Sequence, residues 1–140
     1  FIIASCCASP PCCAAEGIYI CGTRGWLTPD NDDFGEDDER IYKREMLRLR
    51  ASLDKAVKMA ADAGEEPDIL GVLHYPPVSK QTAFSGFQQI FDDYGVKRVI
   101  YGHVHGEDGF RTAIEGVHHG VEYSLVSLDR LNCVPLCIKP

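Results

Sequence analysis

Nowhere in the 140 residues does an uninterrupted apolar run approach the roughly 20 residues that a membrane-spanning helix needs, so no transmembrane element is expected. Basic residues are also scarce: 14 Lys and Arg stand against 21 Asp and Glu, a formal net charge of -7. A broad grip on nucleic acid or on an anionic membrane requires clustered cations that replace counterions. This balance argues against both and leaves room only for a small, local phosphate site. The opening FIIASCCASPPCCAAEG lacks a basic region ahead of its apolar patch, and Pro10-Pro11 would interrupt any helix there, so it is not read as a signal peptide. Nor does the cysteine total suit a closed disulfide framework, because seven is odd. Cys6, Cys7, Cys12 and Cys13 crowd the opening as adjacent pairs, a poorer chelating geometry than CxxC. Residues 1–16 are read as a Cys-rich lead-in, disordered or foreign to the domain. Cys21, Cys133 and Cys137 are read as small buried hydrophobes of a reducing, cytoplasmic compartment. A start at Phe1 suggests a piece of something longer.

What is present suits one globular core: 45% of the residues are hydrophobic and 25% charged. GIYIC (17–21) reads as a buried strand. The acidic, turn-rich TPDNDDFGEDD then leads into a helix whose first turn is negative, as the macrodipole favours. That helix is expected over Arg40–Ala63, with Tyr42, Met46, Leu49, Leu53, Ala56, Val57 and Ala60 on one face and Gly64 at its end. Asp68–His74 is nearly all apolar, as in a central strand covered on both faces. A second helix is expected over Thr82–Tyr94, striped with Phe84, Phe87, Phe91 and Tyr94. KRVIY (97–101) is a further short strand. Beyond residue 105 only strands are expected, Val117–Leu128 and Cys133–Ile138, with a turn at Asp129–Asn132 and an exposed hairpin turn at His118-His119. The alternation implies a layered α/β domain.

Two apolar strands each end in histidine: His74 closes one, and Gly102-His103-Val104-His105-Gly106 follows the next. Ligands of open α/β sheets collect outside the carboxyl ends of the strands, where imidazoles from neighbouring strands can meet. Imidazole suits zinc, iron, nickel and manganese, and the flanking glycines allow a sharp turn without bulk. A single strand-end histidine is more often a hydrogen-bonded rim residue; the ordered combination is the informative feature. Arg24, after the first strand, is a candidate phosphate contact because a guanidinium matches phosphate oxygens. Glu107 and Asp108 are candidate partners of the histidines, or solvated loop acids.

GVLHYPP and YGHVHG, separated by a helix, resemble the last two metal-binding blocks of the calcineurin-like metallophosphoesterases, whose blocks run DxH, GDxxD, GNH[DE], a strand-end His and GHxH. GTRGW (22–26) and the closing EYSLVSLDRLNCVPLCI are similar to bacterial members. The resemblance spans Gly17–Ile138 and implies that 17–140 is the C-terminal part of an α/β/β/α sandwich. It further implies His74 and His103 as ligands of one divalent ion and His105 as a ligand of its neighbour, the ions being manganese, iron, zinc or similar. Between them a bridging water would attack the phosphorus of a phosphorylated substrate. DxH, GDxxD and GNH[DE] do not occur in these residues, so the chain supplies only part of the ligand set. Expected consequences are weak or absent hydrolysis by this polypeptide alone, missing blocks upstream, and self-association through apolar surface where the other half would pack. One alternative is a non-catalytic remnant or interaction module that keeps the fold. Another is a different histidine-cluster metallohydrolase. The β-lactamase-like HxHxDH pattern fails at its last two positions, Glu107 and Asp108, and an amidohydrolase barrel needs more chain after residue 105.

Overall fold

A computed structural model describes residues 12–81 and 84–138. Chain order runs β1 (Cys12–Ala15), β2 (Ile18–Thr23), α1 (Glu36–Ala63), β3 (Asp68–Leu73), α2 (Gly86–Asp93), β4 (Arg98–Tyr101), α3 (Gly106–Thr112), β5 (Gly116–His118) and β6 (Val121–Leu125). The result is a mixed α/β fold built on one six-stranded sheet, in the order β1-β2-β3-β4-β6-β5. The four central strands β2, β3, β4 and β6 are parallel, whereas β1 and β5 pair antiparallel at the edges. All four parallel strands therefore deliver their carboxyl ends to one rim.

Side chains alternate across a strand, so Tyr19 and Cys21, Ile69 and Leu73, Val99 and Tyr101, and Tyr123 and Leu125 share a face. All eight are buried. Helices α1 and α2 cover this face together: the Tyr42 ring meets Phe87 edge-on at 5.1 Å, and its hydroxyl accepts from the Gly86 amide at 2.7 Å. At Gly71 a methyl group would come within 3.0 Å of Phe91 and Val99, so the missing side chain is what lets Phe91 lie on the sheet. The opposite face presents Ile20, Val72 and Ile100, each only half-buried. No helix of the described residues is long and apolar enough to cross a membrane.

Glycine is indispensable at position 22. A Cβ there would fall 1.8 Å from the Val72 carbonyl oxygen of the paired strand, a backbone atom that cannot swing aside. Gly22→Ala is expected to force β2 and β3 apart and to destabilise the fold by about 3 kcal/mol or more, beyond the 1–3 kcal/mol usual for overpacking. Thermal unfolding by circular dichroism measures it, and a melting temperature within a degree or two of the parent would refute the clash.

Helix α1 begins at Glu36, four residues before the expected Arg40, so that Glu36, Asp37, Asp38 and Glu39 all lie in its first turn. Asp38 Oδ2 accepts from the Gly35 amide at 3.0 Å and its Oδ1 from Trp26 Nε1 at 2.8 Å. The Gly35 amide, then the Trp26 indole, lower the Asp38 pKa. A carboxylate whose folded pKa lies below its unfolded value of about 3.9 contributes stability above that value and loses it as pH falls through the folded pKa. Acidification below about pH 4 should therefore loosen the tie between the helix start and Trp26. Trp26 is the single tryptophan, so its fluorescence reports the change, and Asp38→Asn should flatten that acid limb.

Several expectations need correction. Cys12–Ala15, placed in the lead-in, form β1 against β2; residues 1–11, with Cys6 and Cys7, lie outside the described residues. The second helix starts at Gly86, leaving Phe84 exposed ahead of it, while Thr82 and Ala83 lie outside the described residues. Val57 is exposed although the helical period puts it beside buried Leu53 and Ala56. Helix α3 interrupts the expected strands-only ending. Residues 133–138 form no strand, and Cys133 and Cys137 are exposed rather than buried; of the described cysteines only Cys21 is buried. The strand expected over Val117–Leu128 is broken by a turn at His119-Gly120 that separates β5 from β6, and His118, expected exposed in the turn, is the half-buried last residue of β5.

Candidate metal centre

Four loops leave the carboxyl rim of the parallel strands, and each carries a polar side chain. Arg24 follows β2, His74 follows β3, His103 and His105 follow β4, and Asp129 follows β6. All five are exposed. Backbone hydrogen bonds stitch neighbouring exits together: the His74 and Tyr75 amides donate to the Arg24 carbonyl at 3.1 and 2.9 Å, and the Gly102 amide donates to the His74 carbonyl at 3.2 Å. Arg24, His74 and His103 are thus fixed relative to one another by main chain as well as by strand register.

His74 Nε2 and His103 Nδ1 face each other at 3.1 Å. Without a cation, one nitrogen carries a proton and donates to the other. Tyr75 backs the pair, its ring 4.1 Å from that of His103 and inclined by 30°. Burial, then the neighbouring His74 and His105, lower the His103 pKa, favouring the neutral imidazole whose lone pair can act as a ligand. Gly102 has no positive φ; the sharp turn falls on His103 itself, φ 68°, closed by the Val104 amide donating to the Gly102 carbonyl at 2.8 Å. This is a γ-turn of the uncommon positive-φ kind, and a non-glycine residue there costs about 1–3 kcal/mol.

His105 does not join the pair. Its Nδ1 donates to Asp129 Oδ1 at 2.9 Å, and the other oxygen of that carboxylate accepts from the Gly106 amide, also at 2.9 Å. The Gly106 amide is the largest influence lowering the Asp129 pKa, followed by His105. Glu107 and Asp108 stay exposed in the first turn of α3, and Asp108 pairs with Arg111 rather than with a histidine. Asp129 was expected only as a turn residue. Its one sequence signal is its position just beyond a strand that ends on the same rim.

Arg24 lies with its guanidinium 4.3 Å over the Trp26 ring and 3.9 Å from the carboxylate of Glu45. Glu45 is fully buried on α1; it accepts from the Thr23 hydroxyl and, at 2.7 Å, from Arg48. The helix thereby grips the end of β2 from which Arg24 emerges. Beyond β6, the Ser127 hydroxyl is buried with no hydrogen-bond partner among the described residues.

The donor set suits a cation only in part. Two ligand nitrogens about 2.0–2.1 Å from one ion lie roughly 2.9–3.4 Å apart in octahedral or tetrahedral arrangements, and the His74–His103 separation falls in that range. Yet no group of three or more His, Cys, Asp or Glu side chains gathers closely enough to hold an ion among the described residues. The residues fit a two-imidazole half-site and not a complete dinuclear centre. No family model matches the chain, and comparisons with curated proteins and with solved structures likewise return no match.

Proposed function

We propose that this chain is part of a metal-dependent phosphoester hydrolase of the calcineurin-like kind, with His74 and His103 as shared ligands of one divalent cation. The observation that carries the reading is the 3.1 Å approach of two imidazole nitrogens from adjacent parallel strand ends. His105, two residues beyond His103 in the loop after β4, is the ligand offered to a second ion. In this reading the six-stranded sheet is one layer of an α/β/β/α sandwich, with α1 and α2 outside and the half-buried Ile20, Val72 and Ile100 turned toward a second layer. Bound manganese, iron or zinc would supply Lewis-acid charge to phosphoryl oxygens and lower the pKa of water.

The chain's own residues contribute orientation and charge. His74 and His103 would hold the ion, and main-chain bonds between the strand exits fix where these two residues leave the sheet. Arg24, with about half of its side chain exposed, is the residue this reading assigns to a phosphate oxygen, because a guanidinium matches phosphate geometry. The partners on this reading are a phosphorylated substrate and the divalent ions, with self-association through the sheet face that carries half-buried Ile20, Val72 and Ile100.

A second reading, a non-catalytic remnant or interaction module, is favoured by the lack of a third converging ligand among the described residues. Calorimetric titration with manganese, paired with turnover of a phosphodiester model substrate, tests both. Saturable binding with at most feeble turnover is the expected result. No binding of manganese or zinc at either histidine would overturn the metal reading and favour the module.

A further inference from the structure

Histidine has two ring nitrogens, and a ligand role for one requires that the proton sit on the other. At His105 the structure decides which. Nδ1 is 2.9 Å from a carboxylate oxygen of Asp129, an acceptor without a proton to give, so Nδ1 carries the hydrogen and Nε2 is left with its lone pair. The same carboxylate is fixed on its other side by the Gly106 amide at 2.9 Å and receives the Arg130 amide at 3.0 Å. The loop beyond β6 and the start of α3 thus hold one acceptor in a defined place. The ring has no comparable tether from its own loop: its neighbours Glu107 and Asp108 are exposed, and His105 itself is 63% exposed in its side chain.

We infer that Asp129 is a positioning residue, fixing the tautomer and direction of His105 so that Nε2 is the atom presented to a metal ion. This rests on the metallophosphoesterase reading for its purpose, but its physical content does not. It assigns a role to a residue that none of the metal-binding blocks of the resemblance includes, although it lies within the closing segment EYSLVSLDRLNCVPLCI. A carboxylate behind a ligating imidazole both orients the ring and raises its basicity, and loss of such a partner typically weakens metal affinity by about 10–100-fold.

The test uses the full chain. Long-range nitrogen–proton correlation spectra of the metal-free protein at pH 8 distinguish the two tautomers at each histidine. His105 should show its proton on Nδ1. Asp129→Ala should release that preference and leave His118, which faces the Glu115 carbonyl, unchanged. Asp129→Asn, which keeps an acceptor oxygen, should retain it. A wild-type His105 protonated on Nε2 would overturn the inference without any variant, and so would an unchanged tautomer in Asp129→Ala. Zinc titration followed at the His105 Nε2 resonance separates this from the underlying reading: binding at that nitrogen in the wild type that weakens about 10–100-fold in Asp129→Ala supports the positioning role. Binding unchanged in the variant refutes that role alone. No binding by the wild type sinks the metal reading and the purpose given to the carboxylate, while the tautomer result remains a separate outcome.

Discussion

His103→Ala is expected to weaken manganese binding by about 100-fold or more, above the 10–100-fold range seen when only an outer partner of a ligand is lost. The reason is geometric. His103 Nδ1 and His74 Nε2 are the only pair of imidazole nitrogens on the rim that approach each other among the described residues, so removing one leaves a single donor. His74→Ala should have the same effect, and the double variant should be little worse than either, because the two rings act on one ion and their losses are not additive. His118→Ala, on the distant β5–β6 hairpin, serves as the control and should bind as the parent does. Circular dichroism must show each variant folded. Equal manganese affinity in His103→Ala and His118→Ala would remove the basis for a shared ion.

Phe91→Ala should be the most damaging of the simple core truncations, costing about 3–5 kcal/mol. Phe91 is fully buried on α2, and Gly71 leaves the space on β3 that its ring fills. Gly71 itself offers only a hydrogen toward the gap, so the strand beneath the ring supplies no side chain to fill it. Against a total stability of about 5–15 kcal/mol for a domain of ordinary size, that loss would bring the protein close to unfolding at room temperature. Urea unfolding followed by Trp26 fluorescence gives the difference directly. A loss below about 1 kcal/mol would mean that the α2–sheet contact is looser than its burial implies.

The strands and helices legible in the sequence are those whose burial is dense. β2, β3 and β4 appear as short apolar runs, and α1 as a period carried by Tyr42, Leu49, Leu53, Ala56 and Ala60, all buried. Glu45 escaped because its charge assigns it to the wet face; only tertiary contact with Thr23 and the arginines makes burial of that carboxylate tolerable. Helix α3 was invisible for a plain reason: GEDGFRT buries no residue and so leaves no periodic trace. CVPLCI misled in the opposite direction. Its apolar residues suggest a strand, but Pro135 can donate no ladder hydrogen bond, and Val134 and Leu136 remain exposed.

The rim itself was half legible. Reading histidine at the tips of adjacent strands predicts that His74 and His103 meet, and they do. That His105 instead faces Asp129 depends on where β6 joins the sheet, a contact across 24 positions in the chain that no local pattern encodes. Arg24 is at its expected strand end, but its neighbours Trp26 and Glu45 are tertiary facts.

The positive φ of His103 has a consequence for how this position tolerates change. Glycine would adopt the γ-turn with ease, and alanine would inherit the strain without the ring. Comfort of the main chain and possession of an imidazole are thus set against each other at a single residue, and relaxing the turn gives up the nitrogen that faces His74.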